Sequence, residues 1–347
     1  MLNDLTIRAC SQLKLCLGGE DTDVESFYNK HDGAVVNATI NLYTHCTINS
    51  KKNGKIKFLA TDLQENFECD STNYIEPTAV LKLHKAIYNY IIKHYNDNQP
   101  IDHEVITYSD VPIDSGLYSS SILAISIIKA YTELLSLPLG SHDISSLAYK
   151  IERSDLGTKG KKQDYYSTTF GGFNFMEFQK DDKAIINPLR IEKSIILELE
   201  QHLILFDTGA SLESTNVNQE KSSQDSQNTI DSLLKAKQEA LNIKEYLLKS
   251  NFEDVIESIQ KGWQLSRERS KPAIHNYTNE VYKKIINAGA LAGKIFGDNG
   301  KFIIFLVRPS KRMEILRILS KEKTRQVYHI HFVEEGSRSW IVGNNNE

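Results

Sequence analysis

The chain has 347 residues, of which 40% are apolar and 25% are charged, and its formal net charge is -4 at pH 7. This length supports one large domain or two ordinary domains with full cores, and the charge gives no bulk attraction to nucleic acid or to an anionic membrane. The first residues lack the apolar core of a secretion signal, and no apolar run is long enough to span a bilayer. We therefore expect a cytoplasmic protein with no nucleic-acid partner and no membrane partner.

The first half of the chain shows strand patterns and then helical patterns. Residues 34–48 alternate between apolar and polar, which predicts a half-buried strand, and residues 56–60 predict a short strand after a turn. From Pro77, apolar residues recur at helical spacing, and this predicts a surface helix. Residues 122–137 are apolar nearly all round, so we expect a helix that is buried between layers.

The second half mixes strands and helices without a regular βαβ repeat. Residues 202–207 predict an interior strand that ends in a turn at Thr208 and Gly209, and the polar residues 214–229 predict a lid or loop. Interleaved elements of this kind favour the α+β class. The elements predicted after the lid are two amphipathic helices, a helix ending in residues 287–293, a strand at 302–307, a helix starting near Pro309 and a strand at 327–333.

A serine-rich turn leads directly into the predicted buried helix. Residues 111–126 read VPIDSGLYSSSILAIS. The first backbone N–H groups of a helix have no partner and lie at the positive end of its dipole, so such a turn can bind phosphate, and serine hydroxyls can add ligands for phosphate or Mg²⁺. Plain helix capping is the simpler explanation of this stretch alone. The chain has neither G-x-x-x-x-G-K-[ST] nor G-x-G-x-x-G, which excludes an ordinary P-loop and a dinucleotide-binding turn.

Four segments, in order along nearly the whole chain, resemble the motifs of the GHMP kinases. Residues 112–121, PIDSGLYSSS, resemble the second motif of that family, P-x-G-S-G-L-G-S-S-S. Residues 8–24, RACSQLKLCLGGEDTDV, resemble the opening of its branch of heptose-phosphate and fucose kinases. Residues 159–173, KGKKQDYYSTTFGGF, and 287–302, NAGALAGKIFGDNGKF, resemble two later motifs of the family, and EEGSR resembles its closing segment. Four ordered motifs are far more specific than one.

This resemblance implies a two-domain α+β fold with the active site in the cleft between the domains. Residues 1–195 would form an N-terminal domain with a mostly antiparallel sheet, the phosphate turn and the catalytic aspartate. Residues 196–347 would form a C-terminal domain of ferredoxin-like layout. The resemblance also implies ATP and Mg²⁺ as cofactors and a sugar or sugar phosphate as the second substrate, and it leaves a homodimer open.

The resemblance assigns roles position by position. Asp164 matches the catalytic aspartate, and Lys14 falls where the family has an arginine that brings the hydroxyl and the phosphate together. Glu152 matches the glutamate that holds Mg²⁺ together with Ser120. Without the resemblance, Asp164 would be a surface carboxylate in a lysine-rich loop, and Glu152 would be half of a solvated pair with Arg153. The implied nucleotide-binding residues are Pro112, Ser115, Gly116, Leu117, Tyr118, Ser119, Ser120 and Ser121. The implied substrate-binding residues are Glu20, Asp21, Thr22, Asp23, Gln163, Gly172, Gly209 and Gly297.

Several turns depart from the motifs of the family. Leu212 stands where an arginine is usual, and residues with side chains stand where glycines are usual, namely Asp114, Tyr118, Lys161, Asp298, Asn299 and Lys301. Because the aspartate and the serines are retained, we expect either an ATP-dependent sugar or sugar-phosphate kinase, most similar to the heptose 7-phosphate kinases, or a catalytically silent protein that binds a sugar phosphate or nucleotide. The turn GGEDTD leans towards the galactokinase form, so a galactose- or fucose-like sugar is an alternative substrate. Conversion of the predicted lid into a protein-interaction segment is a weaker alternative.

Overall fold

The computed structural model describes residues 5–78, 80–111, 120–157, 161–209, 227–269, 276–296, 301–322 and 326–342. Among these residues, we find no helix with the length and apolarity that a membrane crossing requires. Twelve strands are present in the described ranges, and their bounds in chain order are β1 Thr6–Gly18, β2 Gly33–Ser50, β3 Lys55–Ala60, β4 Glu65–Asp70, β5 His103–Ser109, β6 Phe173–Phe178, β7 Ala184–Pro188, β8 Leu203–Asp207, β9 Ala290–Phe296, β10 Phe302–Val307, β11 Gln326–Tyr328 and β12 Arg338–Val342.

The same ranges contain ten α-helices, and a π-helical turn at Ile151–Asp155 directly extends the fourth of them. The bounds of the helices are α1 Glu25–His31, α2 Lys82–Tyr95, α3 Ser120–Leu134, α4 Ser141–Lys150, α5 Lys162–Phe170, α6 Lys193–His202, α7 Gln227–Leu248, α8 Phe252–Arg269, α9 Asn276–Asn287 and α10 Pro309–Leu319.

The first sheet has eight strands and divides at the long strand β2. The order β12-β1-β2-β5-β3-β4 follows one path, whereas β6 pairs with the first half of β2 and β7 pairs with β6. All of these pairs are antiparallel except the pair of β3 and β5. The second half of β2 alternates between buried and half-buried residues, whereas its first eight residues are all buried. The predicted strand at 34–48 is confirmed, and its first half has neighbours on both faces.

Helix α3 is buried around most of its circumference, as its apolar sequence predicts. Its isoleucines pack with side chains of α2, β3 and β5 in one core cluster, which includes Ile125, Phe58 and Ile87. The hydroxyl of Ser126 within this helix is hydrogen-bonded to the hydroxyl of Thr44 at 2.6 Å, so a polar group in the core is satisfied. The start of α3, where the predicted phosphate turn ends, is therefore anchored by a large core.

Two predicted helix bounds are wrong. Helix α2 begins at Lys82 and not at Pro77, because Leu81 has φ 56, a left-handed conformation that cannot continue a right-handed helix. The helix predicted to end in residues 287–293 ends at Asn287, and Gly289 then takes φ +105 before β9 begins. Small residues after the glycine therefore belong to a strand.

Two predicted strands are shorter than expected. In residues 202–207, His202 closes α6 and the strand begins at Leu203. In residues 327–333, β11 ends at Tyr328, and Phe332 makes only an isolated bridge to Ile40. The predicted strand at 302–307, the two amphipathic helices and the helix from Pro309 are confirmed.

The second sheet has four antiparallel strands in the order β11-β8-β10-β9, and one of its faces packs against α9 and α10. The mixed helices and sheets confirm the α+β class. The predicted boundary between residues 195 and 196 lies within α6, and β12 from the end of the chain pairs with β1 in the first sheet. One core cluster joins residues of both sheets, for example Val36 and Ile304. The division into 1–195 and 196–347 stays a prediction.

Residues 329–337, here called the closing segment, cross the first sheet before β12. The backbone of Val333 donates a hydrogen bond to the Thr39 carbonyl at 3.0 Å, and the Thr39 hydroxyl donates to the Val333 carbonyl at 2.7 Å. The side-chain amide of Gln12 on β1 donates to the carbonyl of Glu335 at 2.6 Å. These hydrogen bonds satisfy backbone groups of a segment that has no regular secondary structure of its own.

The closing segment also holds the C-terminal end of α5. The backbone of Ser337 donates to the carbonyl of Thr168 at 3.0 Å. Gly171, which follows α5, has φ +71, and a Cβ atom there would lie 2.3 Å from backbone atoms of Glu335 and Gly336. Only glycine combines this left-handed backbone with so close an approach. The end of α5 and the closing segment are therefore packed backbone against backbone.

Candidate active site

The centre of the candidate site is an ion pair between a strand and a helix. Lys14 lies on β1 between two shifts in its register with β2, and such irregularities turn individual side chains out of the regular alternation. Asp164 lies in the first turn of α5. The Lys14 Nζ is 2.8 Å from the Asp164 Oδ1, and both side chains are largely buried. Burial opposes the ammonium form of Lys14, but the adjacent carboxylate outweighs it and raises the pKa of Lys14.

A hydrogen-bond relay of four residues supports this pair: Asp23, Gln163, Lys14 and Asp164. The Asp23 carboxylate accepts from the backbone N–H of Gln163 and from its side-chain Nε2, each at 3.1 Å. The Gln163 Oε1 in turn accepts from the Lys14 Nζ at 2.9 Å. In each of these hydrogen bonds the donor is fixed by its chemistry. Asp23 therefore orients the side-chain amide of Gln163, and that amide orients the ammonium of Lys14. Asp23 is placed as a positioning residue, and a contact with substrate stays a prediction.

Asp23 is buried beneath the site, and this burial raises its pKa from 3.8 to about 6, with nearby Asp164 acting in the same direction. Lys161, Lys14 and the Gln163 backbone oppose the rise. Between about pH 4 and pH 6, the folded protein keeps a proton on Asp23 that the unfolded chain has lost. Stability from this group is therefore present at low pH and is lost as the pH rises through about 6.

Replacement Asp23→Asn removes this titration and is expected to change the pH dependence of folding. The free energy of unfolding of the native chain should fall relative to that of the variant by about 2 kcal/mol between about pH 4.5 and pH 7. Urea denaturation of both proteins at several pH values measures the difference. Parallel stability curves would show that the carboxyl titrates at its ordinary pKa.

The relay also predicts a lower kcat for the variant, because the Asn amide group would face the Gln163 amide group as donor to donor.

Ser120 and Glu152 meet beside this relay, as the resemblance implies. Ser120 begins α3, and its hydroxyl makes a short hydrogen bond to the Glu152 Oε1. Glu152 lies in the π-helical turn, is 1% exposed, and has a raised pKa, chiefly because of burial, with Asp164 contributing. The interpretation of Glu152 as a solvated partner of Arg153 is wrong, because Arg153 pairs with Glu25 at 3.3 Å. A buried serine, Ser121, completes the described part of the phosphate turn.

Glu20 and Asp21 belong to an ionic cluster, here called the acidic-turn cluster, that includes Lys161, Arg269 and Lys294. Lys161 Nζ lies 2.7 Å from Asp21 Oδ1 and 3.4 Å from Glu20 Oε1. Lys294 Nζ is 2.7 Å from Glu20 Oε2, and Arg269 Nη2 is 3.3 Å from Asp21 Oδ2. Burial opposes ionisation of Glu20, yet Lys294 and Lys161 hold its pKa well below the usual range. Both carboxylates are therefore ionised.

The sequence alone does not identify the cations of this cluster. Arg269 and Lys294 lie on α8 and β9, far from the acidic turn along the chain, and pairing between distant charges has no local sequence pattern. Lys161 has a recognisable signal, since it stands where the family has a glycine, but a departure from the motif does not by itself indicate an ion pair. The structure instead places Lys161 in a specific ion pair.

Other predicted site residues have structural contacts. The Thr22 hydroxyl is fully buried, and its one proton lies within hydrogen-bond reach of two carbonyls, those of Gly19 at 2.7 Å and Ala34 at 2.9 Å. Gly172 donates its N–H to the closing segment, and Gly209 donates its N–H to Asp207 Oδ1 at 2.6 Å. Roles in substrate binding stay predictions for these residues. Seven predicted residues lie outside the described ranges, as does most of the predicted lid: Pro112, Ser115, Gly116, Leu117, Tyr118, Ser119 and Gly297.

Comparison with known proteins identifies the family. Residues 82–172 match the family model for the GHMP kinases N terminal domain. Over 339 residues the chain is 38% identical to D-glycero-alpha-D-manno-heptose 7-phosphate kinase of Campylobacter jejuni. The aligned region covers 97% of this chain and 99% of that protein. The chain belongs to the GHMP kinase family. The predicted family, its heptose-phosphate kinase branch and the prediction of a sugar kinase are confirmed.

Solved structures support the same assignment for this GHMP kinase. A D-glycero-D-manno-heptose 1-phosphate kinase from Bacteroides thetaiotaomicron superposes with a TM-score of 0.83 at 35% identity, covering 97% of this chain and 100% of that chain. Galactokinase of Lactococcus lactis, solved with galactose, has a TM-score of 0.69 at 16% identity and covers 96% of this chain and 94% of that chain. The second likeness shows the shared fold alone.

Proposed function

We propose that this chain transfers the γ-phosphate of ATP to a hydroxyl of a sugar phosphate, with D-glycero-D-manno-heptose 7-phosphate as the substrate. The observation that supports this most directly is the buried ion pair of Lys14 and Asp164, oriented by Gln163 and Asp23, in a chain with 38% identity to a heptose 7-phosphate kinase. A silent binding scaffold has no need for a carboxylate held against a lysine in this way. A cytoplasmic location and a homodimer stay predictions.

The geometry gives each residue of the pair a role in phosphoryl transfer, which needs positioning and charge neutralisation more than covalent chemistry. Asp164 accepts the proton of the attacking sugar hydroxyl as its oxygen bonds to the γ-phosphorus and the bond to the leaving ADP oxygen breaks. Lys14 holds the Asp164 carboxylate in place, and its ammonium offsets the negative charge of the transferred group. The start of α3 directs backbone N–H groups towards the nucleotide phosphates.

The residues present fit a magnesium ion that is shared with the nucleotide. Mg²⁺ is usually held by one or two carboxylates together with substrate phosphates and water, rather than by a cage of protein ligands. Ser120 and Glu152 supply one hydroxyl and one carboxylate at the start of α3. When bound, the ion would neutralise charge on the phosphates.

The test is a screen of the purified full chain with MgATP, in which ADP release is measured. The sugars are heptose 7-phosphate, the same heptose without phosphate, galactose and fucose. We expect ADP release to be fastest with heptose 7-phosphate and to stop when Mg²⁺ is removed with a chelator. If no sugar increases ADP release while calorimetry detects binding of nucleotide or sugar phosphate, the chain is a silent binding protein and the kinase proposal is wrong.

A further inference from the structure

We propose that Lys161 binds the phosphate group that the sugar substrate already carries, and that it thereby selects a sugar phosphate over the free sugar. This inference rests on the proposed function and names the part of the substrate that one residue recognises. It explains why a lysine occupies a position that is usually glycine in the family. Four observations carry it: the charge balance of the acidic-turn cluster, the exposure of its members, the position of Lys161 and the chemistry of phosphate.

The ion pairs of the acidic-turn cluster join three cations to two carboxylates, and Asp23 is a further acidic group that Lys161 influences without an ion pair. Glu20 has its own partners, since Lys294 contacts its Oε2 at 2.7 Å and the Ser266 hydroxyl donates to the same atom at 2.6 Å. Asp21 is paired with Arg269, whose Nη2 also donates to the Glu20 carbonyl at 3.0 Å. Within the part of the chain that the structure describes, the cluster therefore has three positive and two negative charges. Removing Lys161 would leave each carboxylate paired.

The extra charge lies on the most exposed of the three cations. The side chains of Lys294 and Arg269 are 6% and 9% exposed, whereas that of Lys161 is 36% exposed. A buried cation needs a fixed partner, because loss of hydration is otherwise too costly. Lys294 and Arg269 are therefore committed to Glu20 and Asp21. Lys161 can exchange one anionic partner for another at the surface of the site.

Lys161 lies beside the reacting groups. It directly precedes α5, and its carbonyl accepts a hydrogen bond from the backbone N–H of Asp164 at 3.1 Å. Its ammonium contacts the carboxylates of Asp21 and Glu20, and Asp21 stands two residues before Asp23 of the relay in the chain. An anion bound there would belong to the molecule whose hydroxyl meets Asp164. The positive end of the α5 dipole adds to the attraction.

A phosphate monoester is the ligand that this arrangement fits. Its charge near neutral pH exceeds that of a single carboxylate, and its oxygens accept strong hydrogen bonds from ammonium groups. Asp21 holds the Lys161 ammonium at 2.7 Å until a phosphate competes for it. When Lys161 moves to the phosphate, Asp21 keeps its ion pair with Arg269. A neutral sugar offers only hydroxyls, which compete poorly with an ionised carboxylate.

The test separates recognition of phosphate from catalysis. Lys161→Met removes the charge with little change in size, and Lys161→Arg keeps the charge. Calorimetry without nucleotide measures the affinity for heptose 7-phosphate and for the same heptose without phosphate, and kinetic assays give kcat/KM for both sugars. We expect Lys161→Met to weaken binding of heptose 7-phosphate by about 10-fold to 100-fold, the effect of losing one hydrogen bond to a charged group. Affinity for the free heptose should be unchanged, and Lys161→Arg should retain most of the affinity for the phosphate form.

A matched control is Lys249→Met, which removes an exposed lysine paired with Glu245 on α7 and should change neither affinity. An equal loss for both sugars would assign Lys161 a structural role and overturn the inference, as would unchanged affinity for the phosphate form or failure of heptose 7-phosphate to bind the native chain. Discrimination between the two ligands in binding, with no ADP release from the native chain, would support the inference and reject the kinase function. The experiment therefore distinguishes failure of the inference about Lys161 from failure of the proposed kinase function.

Discussion

Replacing Asp164 with asparagine is expected to lower kcat by about 10³-fold while nucleotide and sugar still bind. Asparagine has nearly the same shape but cannot take up the hydroxyl proton, so the step of proton transfer loses its base. It also replaces the ion pair with Lys14 by, at most, a hydrogen bond from the ammonium to a neutral amide oxygen, beside the bond to the Gln163 oxygen at 2.9 Å. The ammonium would then be less well placed to offset charge on the transferred phosphoryl group.

Steady-state kinetics with heptose 7-phosphate and MgATP measure this effect, and calorimetry checks that the ligands still bind. A matched control is Asp70→Asn, because Asp70 forms a comparable ion pair with Lys55 at 2.7 Å on the exposed edge strand β4. That variant should retain native activity. If Asp164→Asn kept kcat within about threefold of the native value, Asp164 would not be the base, and the proposed mechanism would have to be abandoned.

Replacing Gly171 with alanine is expected to destabilise the protein by about 3 kcal/mol or more, through two separate effects. The first is backbone strain, since φ +71 is a left-handed conformation that alanine disfavours. The second is steric overlap, since the new Cβ would lie 2.3 Å from backbone atoms of Glu335 and Gly336. A backbone neighbour cannot rotate away as a side chain can, so the closing segment would have to separate from α5.

Urea denaturation of Gly171→Ala beside Gly54→Ala separates the two effects. Gly54 also has a positive φ, +67, but a Cβ there would meet nothing within 4 Å. We expect Gly54→Ala to lose only about 1–2 kcal/mol, which is the cost of the strain alone. Equal losses at the two positions would indicate that the contact between α5 and the closing segment contributes nothing. A larger loss at Gly171, accompanied by lower kcat in the folded fraction, would connect this contact to the placement of Asp164.

Local patterns in the sequence predict the elements that bury apolar residues. Alternation identifies β2, and the apolar run after the serines identifies α3, because a buried face leaves a periodic signal in the sequence. The start of α2 could not be predicted in this way, since the left-handed conformation of Leu81 depends on its tertiary surroundings. Small residues after Gly289 were taken for a helix end, although packing beside β10 makes them a strand.

The candidate site could be predicted only where the resemblance to the family reached it. Asp164 and Lys14 are separated by most of the N-terminal half, and no local pattern indicates that they meet. The partners of Glu20 and Asp21 could not be predicted, because ion pairs between distant segments follow from the fold. Lys161 was the most misleading position. In the sequence it is only a departure from the glycine of the family, whereas in the structure its ammonium contacts both Asp21 and Glu20.

The contact between α5 and the closing segment has a consequence for biosynthesis. A ribosome adds residues from the N-terminus, so Asp164 is made long before the residues that hold the end of its helix in place. Until the nascent chain has been extended past β12, the first sheet lacks its last strand and α5 lacks its C-terminal support. A polypeptide that stops before residue 329 would contain every member of the relay but would lack the backbone contacts that hold the C-terminal end of α5.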